Sequence, residues 1–157
     1  MHVPTLYLDT SVIGGFFDDE WCGPTRDFWQ LMEMGCYRFV TSRVTVNELT
    51  RAPGRVRELF DKTFPEESIL PVSEEADDLA EAYLRHGILP PQCVDDANHV
   101  AICTVAGIEC LVSWNFKHLV NPERKKGFHA INHLQGYRPV SIVTPQEFVY
   151  DREDQKI

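Results

Sequence analysis

The sequence predicts an α/β fold in which a mostly parallel sheet is covered by helices on both faces. Short runs of β-forming residues alternate with helical patterns along the chain, and no linker rich in Gly, Ser or Pro divides its 157 residues. This alternation favours parallel strands joined by right-handed crossovers. We expect one domain over residues 1–150, followed by a flexible tail over residues 151–157.

The first predicted strand leads directly into a helix. The run "TLYL" contains β-forming residues and stops at Asp9, and Thr10 and Ser11 are residues that favour a helix start. Residues 25–34 have the apolar spacing of an amphipathic helix, which ends at Gly35.

Two further strands and three helices are expected in the middle of the chain. In order they are the strand "YRFVTS", the helices "RVTVNELTRA" and "RVRELFDKTF", the strand "SILPVS" and the helix "EEADDLAEAYLRHG". Pro53, Pro65 and Gly87 provide the stops between them.

The last part of the chain predicts three helical segments and two strands. They are the helix "DDANHVAICTVAG", the strand "ECLVSW", a helical stretch "PERKKGFHAINHLQGY" interrupted at Gly127, the strand "PVSIVT" and a helix beginning at Pro145. In the first of these helices we expect Asp95 to be the N-cap.

Composition excludes several classes of protein. A hydrophobic fraction of 43% with 11% aromatic residues excludes a disordered chain, and no apolar run approaches the roughly 20 residues of a membrane helix. The N-terminus has no pattern of a secretion signal, so we expect a cytoplasmic protein. The net charge of -9 argues against nucleic-acid binding by bulk electrostatic attraction. The basic cluster "NPERKKGFH" is expected to be a solvated loop.

The five cysteines predict reduced core thiols. They are odd in number and include no C-x-x-C pair, which argues against the alternative of a zinc site or a catalytic cysteine.

Polar side chains follow two strands that are expected to meet at one edge of the sheet. Ligands of open parallel sheets bind outside the carboxyl ends of the strands, where the strand order reverses. The candidates at these strand ends are Asp9, Ser113, Trp114 and Asn115. Asp96 can reach the same crevice from the start of its helix, and Glu48 emerges from a mostly apolar helix.

Three carboxylates require a positive partner if they converge. Within about 4 Å, each pair would repel by roughly 4 kcal/mol at an effective dielectric constant near 20. Oxygen ligands alone suit Mg²⁺ or Mn²⁺, and such an ion can activate water and attract a phosphate to an acidic protein.

Four ordered motifs carry a resemblance to a known family. The stretches "YLDTSV", "TVNEL", "DDANHVA" and "CLVSWNFKHL", with the ending "INHLQGYRPVSIVTPQEFV", resemble the PIN-domain ribonucleases, particularly the VapC-like toxins of toxin-antitoxin pairs. The resemblance implies a three-layer α/β/α sandwich with a mainly parallel five-stranded sheet. It also implies a magnesium- or manganese-dependent endoribonuclease that hydrolyses RNA by metal-activated water, a cognate antitoxin, and a homodimer.

The resemblance also assigns residues. Asp9, Glu48 and Asp96 match the metal-binding and catalytic acids, and Asn115 falls at a fourth position where many members have Asp. Asn115 can offer a carbonyl oxygen but no charge. Ser11 and Ser113 match polar positions beside the site.

Several residues have a second interpretation. Asp9 could cap the helix after it, Glu48 could be a solvated helix residue, and His99 could contact the site or be a hydrogen-bonded core histidine. Trp114 and Phe116 could stack on bases or pack under the last strand. The remaining apolar candidates for a lip beside the site or a partner surface are Phe16, Phe17 and Trp21. The "HAINH" spacing of His129 and His133 lacks the Glu of a zinc protease motif.

Two other function classes remain open from the residues alone. One is a degenerate PIN module that binds RNA or a protein partner without cleavage, which Asn115 and the net charge favour. The other is an aspartyl-phosphate phosphotransferase with Asp9 as nucleophile, which the sequence "DTS" in place of D-x-D disfavours.

Overall fold

Five parallel strands form one sheet in the computed structural model, which describes residues 2–149. The strands are β1 (Thr5–Leu8), β2 (Arg38–Ser42), β3 (Ile69–Leu70), β4 (Cys110–Val112) and β5 (Ser141–Val143), in the spatial order β3-β2-β1-β4-β5. Each neighbouring pair is parallel. The predicted parallel five-stranded sheet is confirmed, and its order reverses at β1, between β2 and β4.

Helices connect the strands. They are α1 (Thr10–Gly15), α2 (Cys22–Glu33), α3 (Arg43–Glu48), α4 (Gly54–Thr63), α5 (Glu74–Arg85), α6 (Val94–Val105) and α7 (Pro122–Leu134), with 3-10 turns at Leu49–Arg51 and Glu66–Ser68. A last helical segment begins at Pro145, as predicted, and is described to residue 149. The predicted tail over residues 151–157 lies outside the described part of the chain.

The sheet separates two apolar cores. Successive side chains of a strand point to opposite faces, so Tyr7 packs with the helical layer of α5, α6 and α7. Leu6 and Leu8 pack on the other face, with α1, α2 and α4. These three layers are the predicted α/β/α sandwich. Within residues 2–149, no helix combines the length and the apolar character that crossing a membrane requires.

The predicted interruption at Gly127 is wrong, because α7 continues through it from Pro122 to Leu134. Gly127 permits close packing: a Cβ there would lie 2.7 Å from Cγ2 of Ile88. The basic cluster that was expected to be a solvated loop therefore lies largely on a helix. Arg124 is anchored in it by a hydrogen bond from Nη1 to the Ile88 carbonyl oxygen at 2.6 Å.

Candidate active site

Asp9 lies directly after β1, with its carboxylate buried beneath two serine hydroxyls. The residue is 3% exposed. Its Oδ1 accepts a hydrogen bond from Ser11 Oγ at 2.6 Å, and its Oδ2 accepts one from Ser113 Oγ at 2.6 Å. Although Asp9 occupies the N-cap position of α1, its side chain makes no capping bond. The structure therefore rules against helix capping as the role of this carboxylate.

Ser11 and Ser113 connect the ends of β1 and β4 to Asp9. Ser11 Oγ accepts a hydrogen bond from the Trp114 backbone N–H at 2.8 Å, and Ser113 Oγ accepts one from the Asn115 backbone N–H at 2.9 Å. Each hydroxyl thus accepts a hydrogen bond from a backbone N–H through one lone pair and donates its single proton to the carboxylate. Two adjacent strand ends hold Asp9 in one orientation.

Burial raises the pKa of Asp9 above its ordinary value. The positive charge of His99 and the two serine hydrogen bonds oppose this effect, while the charge of Asp96 adds to it. The ionised carboxylate is therefore incompletely compensated by the protein around it, which is the electrostatic condition that favours a bound cation.

Glu48 ends α3 and is fixed by two hydrogen bonds to its Oε1. Thr10 Oγ1 donates one at 2.7 Å, and His99 Nε2 donates the other at 2.7 Å. Its side chain is 31% exposed. The interpretation of Glu48 as a freely solvated helix residue does not fit, because the carboxylate is held between the start of α1 and the middle of α6.

His99 is a hydrogen-bonded core histidine that also contacts the candidate site. It is 1% exposed, and its Nδ1 lies 2.7 Å from the hydroxyl of Tyr7, which lies 2.7 Å from Ser42 Oγ. Because a carboxylate only accepts, Nε2 must carry the proton given to Glu48. The contacts with Tyr7 and Glu48 fix the orientation of the buried ring and place a proton on Nε2.

The pKa values of His99 and Glu48 are shifted in opposite directions by the charges around them. Burial favours the neutral imidazole, but the Glu48 hydrogen bond and the negative charges of Asp9, Glu48 and Asp96 outweigh it and raise the pKa of His99. For Glu48, burial favours the neutral acid, but the His99 and Thr10 interactions outweigh it and lower the pKa. Both shifts favour a charged Glu48–His99 pair.

Asp96 lies in the first turn of α6, beside Asn115. The N-cap of this helix is Cys93, so the prediction that Asp95 is the N-cap is wrong. A turn in which the Cys93 N–H donates to the Pro90 carbonyl oxygen at 2.9 Å sets the start of the helix earlier. Both acids lie in the first turn, where negative charge stabilises a helix, but Asp95 is exposed and Asp96 is partly buried. Burial raises the pKa of Asp96.

Asn115 presents its amide nitrogen, not its oxygen, to Asp96. Its Nδ2 donates to Asp96 Oδ1 at 3.3 Å, while its Oδ1 accepts the His118 backbone N–H at 3.0 Å. The carbonyl oxygen that could serve as a metal ligand is thus used to order the turn after β4. In this arrangement Asn115 is a donor to an acid, and its role as a fourth oxygen ligand stays a prediction.

Asp9, Glu48 and Asp96 reach the crevice from three separate elements. Within residues 2–149, the one group of three acidic, His or Cys side chains whose ligand atoms all lie within 4.8 Å is not Asp9, Glu48 and Asp96. Separate hydrogen-bond partners hold each carboxylate, and mutual repulsion opposes closer approach. In the described part of the chain, His99 and His118 are the basic side chains that contact these acids, and no Lys or Arg does so.

The compact group is Cys93, Asp96 and His118. Cys93 precedes α6 and His118 follows β4, so the sheet brings them together across Asp96. The group was not predicted, because Cys93 and His118 lie on distant segments and belong to no C-x-x-C or other short metal-binding motif in the sequence. Cys93 and Cys103 are buried as predicted for core thiols, while Cys22, Cys36 and Cys110 are only partly buried.

An aromatic cluster borders the turn after β4. The Trp114 ring stacks on Trp21 at 4.5 Å between centroids, and its Nε1 donates to Thr25 Oγ1 at 2.9 Å. Trp114 is buried, so the structure favours packing over base stacking for this residue. Phe116 is 45% exposed and keeps a ring available for a ligand.

Comparison with solved structures is a second line of evidence for the fold. FitAcB from Neisseria gonorrhoeae is 16% identical with a TM-score of 0.57, covering 90% of this chain and 98% of that one. FitAB bound to a DNA fragment is 14% identical with a TM-score of 0.55, covering 89% and 94%. VapBC2 from Rickettsia felis, bound to a DNA fragment from their promoter, is 10% identical with a TM-score of 0.52, covering 89% and 98%.

Neither protein-family models nor curated proteins match the sequence. The likeness to solved structures extends over nearly the whole of each chain, and at these identities it establishes the fold. The PIN-like fold implied by the sequence motifs is confirmed.

Proposed function

We propose that this protein is a Mg²⁺- or Mn²⁺-dependent endoribonuclease of the PIN type, and the toxin component of a toxin-antitoxin pair. One observation carries the proposal. Carboxylates from three separate elements, Asp9 after β1, Glu48 at the end of α3 and Asp96 at the start of α6, surround the buried His99 where the strand order reverses. This is the crevice in which open parallel sheets bind ligands.

The residues present fit a hard divalent cation. Carboxylate oxygens are the donors such ions prefer, and burial leaves the charges of Asp9 and Asp96 incompletely compensated. Mg²⁺ keeps several of its waters and takes one or two carboxylates, so two acids from this chain are enough to hold it. Asp9 and Asp96 would hold the ion, and Glu48 would lie beside it.

When bound, the ion supplies positive charge that attracts the phosphodiester and makes water more acidic. The protein holds the acids in position. Ser11 and Ser113 hold Asp9, and the Tyr7–His99 chain holds Glu48. Both hydrogen bonds of Glu48 use Oε1. Its Oε2 can therefore take a proton from the water that attacks the phosphorus, while the leaving oxygen takes a proton from solvent water as the P–O bond breaks.

RNA cleavage by neighbouring acid variants tests this proposal. We expect Asp9→Asn and Asp96→Asn to lower the rate by about 100-fold or more, as removal of a group that acts on developing charge does in other enzymes. Asp95→Asn is the matched control, since Asp95 adjoins Asp96 but is exposed. EDTA should abolish cleavage, and Mg²⁺ or Mn²⁺ should restore it.

Far-UV circular dichroism should show that each variant is folded. If Asp96→Asn cleaves as fast as Asp95→Asn, the mechanism is wrong. If the wild-type protein cleaves equally in EDTA, the metal dependence is wrong.

A second candidate is a PIN module that binds RNA or a protein without cleavage, and the position of Asn115 favours it. Its amide donates to Asp96 and its oxygen is engaged by the backbone of His118. We expect Asn115→Asp to add a carboxylate ligand, to tighten Mn²⁺ binding measured by calorimetry, and to increase cleavage. No cleavage by either protein, together with retained RNA binding, would favour the second candidate.

The proposed partners are RNA, a cognate antitoxin and a second copy of the chain. FitAB and VapBC2 are assemblies that were solved on DNA. We propose that this protein likewise acts with a partner protein, encoded beside it. Light scattering should give a dimer mass for the isolated protein, and co-purification with the neighbouring gene product should suppress cleavage. A monomer mass, or cleavage that the partner leaves unchanged, would contradict these parts of the proposal.

A further inference from the structure

Cys93, Asp96 and His118 bring three different metal-binding groups together at the start of α6. The thiol, one carboxylate oxygen and an imidazole nitrogen all lie within 4.8 Å of one another. Cys93 and Asp96 are three positions apart at the start of one helix, which places them on the same side. His118 reaches them from the turn after β4.

Two of the three ligand distances lie near those of a tetrahedral ion. With metal–sulfur and metal–nitrogen bonds of about 2.3 and 2.0 Å, a tetrahedral angle places the two ligand atoms about 3.5 Å apart, and a nitrogen–oxygen pair about 3.3 Å apart. His118 Nδ1 lies 3.8 Å from Cys93 Sγ and 3.2 Å from Asp96 Oδ2. One nitrogen therefore lies near the required distance from both other ligands.

The ligand types select a different ion from the one proposed for the three acids. Thiolate and imidazole suit Zn²⁺ and similar ions, whereas Mg²⁺ and Mn²⁺ prefer oxygen. Cys93 is 9% exposed, and the side chains of Asp96 and His118 are partly exposed. Three protein ligands with an open side leave a fourth position for water, as in zinc sites that are not purely structural.

We propose that Cys93, Asp96 and His118 form a binding site for Zn²⁺ or a similar thiophilic divalent cation. Because Asp96 belongs also to the acidic crevice, occupation of this site removes one ligand from the proposed Mg²⁺ or Mn²⁺ site. Binding itself does not depend on the nuclease proposal. The competing interpretation is that these three side chains bond only to one another, and that their hydrogen bonds only order the turn after β4.

The hydrogen bonds between Cys93 and His118 that this interpretation requires are weak in the structure. Cys93 Sγ lies 3.6 Å from His118 Nε2 and 3.8 Å from Nδ1, so neither nitrogen is clearly its partner. A catalytic Cys–His pair is also disfavoured, since a nucleophile needs access and the Cys93 thiol is buried. A metal ion gives all three side chains a common partner.

Cobalt and zinc binding to the purified full chain tests the site. Co²⁺ should produce thiolate-to-metal charge-transfer absorption at one equivalent, and Zn²⁺ should abolish it. We expect Cys93→Ser to eliminate the absorption, and both Cys93→Ser and His118→Gln to weaken Zn²⁺ binding by at least about tenfold in calorimetry, since even partners outside the ligand shell contribute 10–100-fold. Cys22→Ser and His133→Gln are the controls and should bind as the wild type does.

X-ray absorption at the zinc edge of the wild-type protein gives a readout that does not depend on the folding of a variant. At one equivalent of Zn²⁺, the spectrum should show one sulfur ligand at about 2.3 Å together with nitrogen and oxygen ligands. The proposal is overturned if the charge-transfer absorption persists in Cys93→Ser, or if the spectrum of the wild-type protein shows no sulfur ligand. RNA cleavage enters none of these measurements, so failure of the nuclease proposal and failure of this site are distinguishable.

Discussion

Removing one hydroxyl group from the core should test how the candidate site is held. Tyr7 is completely buried, and its hydroxyl lies 2.7 Å from both Ser42 Oγ and His99 Nδ1. Tyr7→Phe deletes this oxygen and keeps the ring. Ser42 Oγ retains the Val44 N–H as a partner, at 3.2 Å, but His99 Nδ1 is left without a partner from Tyr7 in a buried position.

The magnitude follows from these contacts. Each lost hydrogen bond contributes about 0.5–1.5 kcal/mol, and a buried group left unsatisfied costs about 1–3 kcal/mol. We expect Tyr7→Phe to lower the free energy of unfolding by about 2–4 kcal/mol. Urea denaturation followed by circular dichroism measures this change, and an unchanged m-value shows that the same surface is exposed on unfolding.

Tyr137→Phe is the matched control. The Tyr137 hydroxyl donates to Glu75 at the surface. Its loss should cost less than about 1 kcal/mol, because exposed polar pairs contribute little. If the two variants lose the same stability, the Tyr7 hydroxyl does not anchor His99, and the stabilising role assigned to the buried Ser42–Tyr7–His99 contacts is refuted.

Two further predictions concern pH and packing. Because the pKa of Glu48 is lowered in the folded protein, its stabilisation is present above its ordinary value of 4.5 and is lost as the pH falls through the folded value. Because the pKa of His99 is raised, its stabilisation is complete below 6.5 and is lost as the pH rises through the folded value. In EDTA, the pair should therefore stabilise the fold most between pH 4.5 and 6.5, and His99→Gln should reduce the loss of thermal stability as the pH rises above 6.5; an equal loss would contradict the shift. In α7, Gly127→Ala should cost about 1–2 kcal/mol in urea unfolding despite the better helix propensity of Ala, because its Cβ would lie 2.7 Å from Ile88. Gly14→Ala has open space around its Cβ and is the control that should be neutral or stabilising; equal effects would show that Ile88 yields without cost.

The sequence predicted the features that depend on local pattern and strand order. The apolar run ending at Asp9 and the one ending at Val112 were recognisable as strands, and the parallel topology brings the residues after them together. Asp9 and Ser113 could therefore be predicted to meet. Their direct hydrogen bond could not, because it depends on side-chain orientation across two strands.

The errors arise where a distant segment decides a local feature. Gly127 suggested a helix break, but it accommodates Ile88 from the loop after α5. Asp95 suggested an N-cap, but the turn at Pro90 starts the helix earlier. The pairing of Cys93 with His118 likewise depends on how α6 meets the turn after β4, which no short motif encodes.

The stacked pair of Trp21 and Trp114 gives the protein an optical property. Two indoles 4.5 Å apart and inclined by 19° couple electronically, so their circular dichroism depends on their mutual orientation. Trp114 directly follows Ser113, whose hydroxyl is bonded to Asp9. A cation or an RNA that displaces the turn after β4 should therefore change an intrinsic spectroscopic signal, and occupancy of the crevice can be followed without an added label.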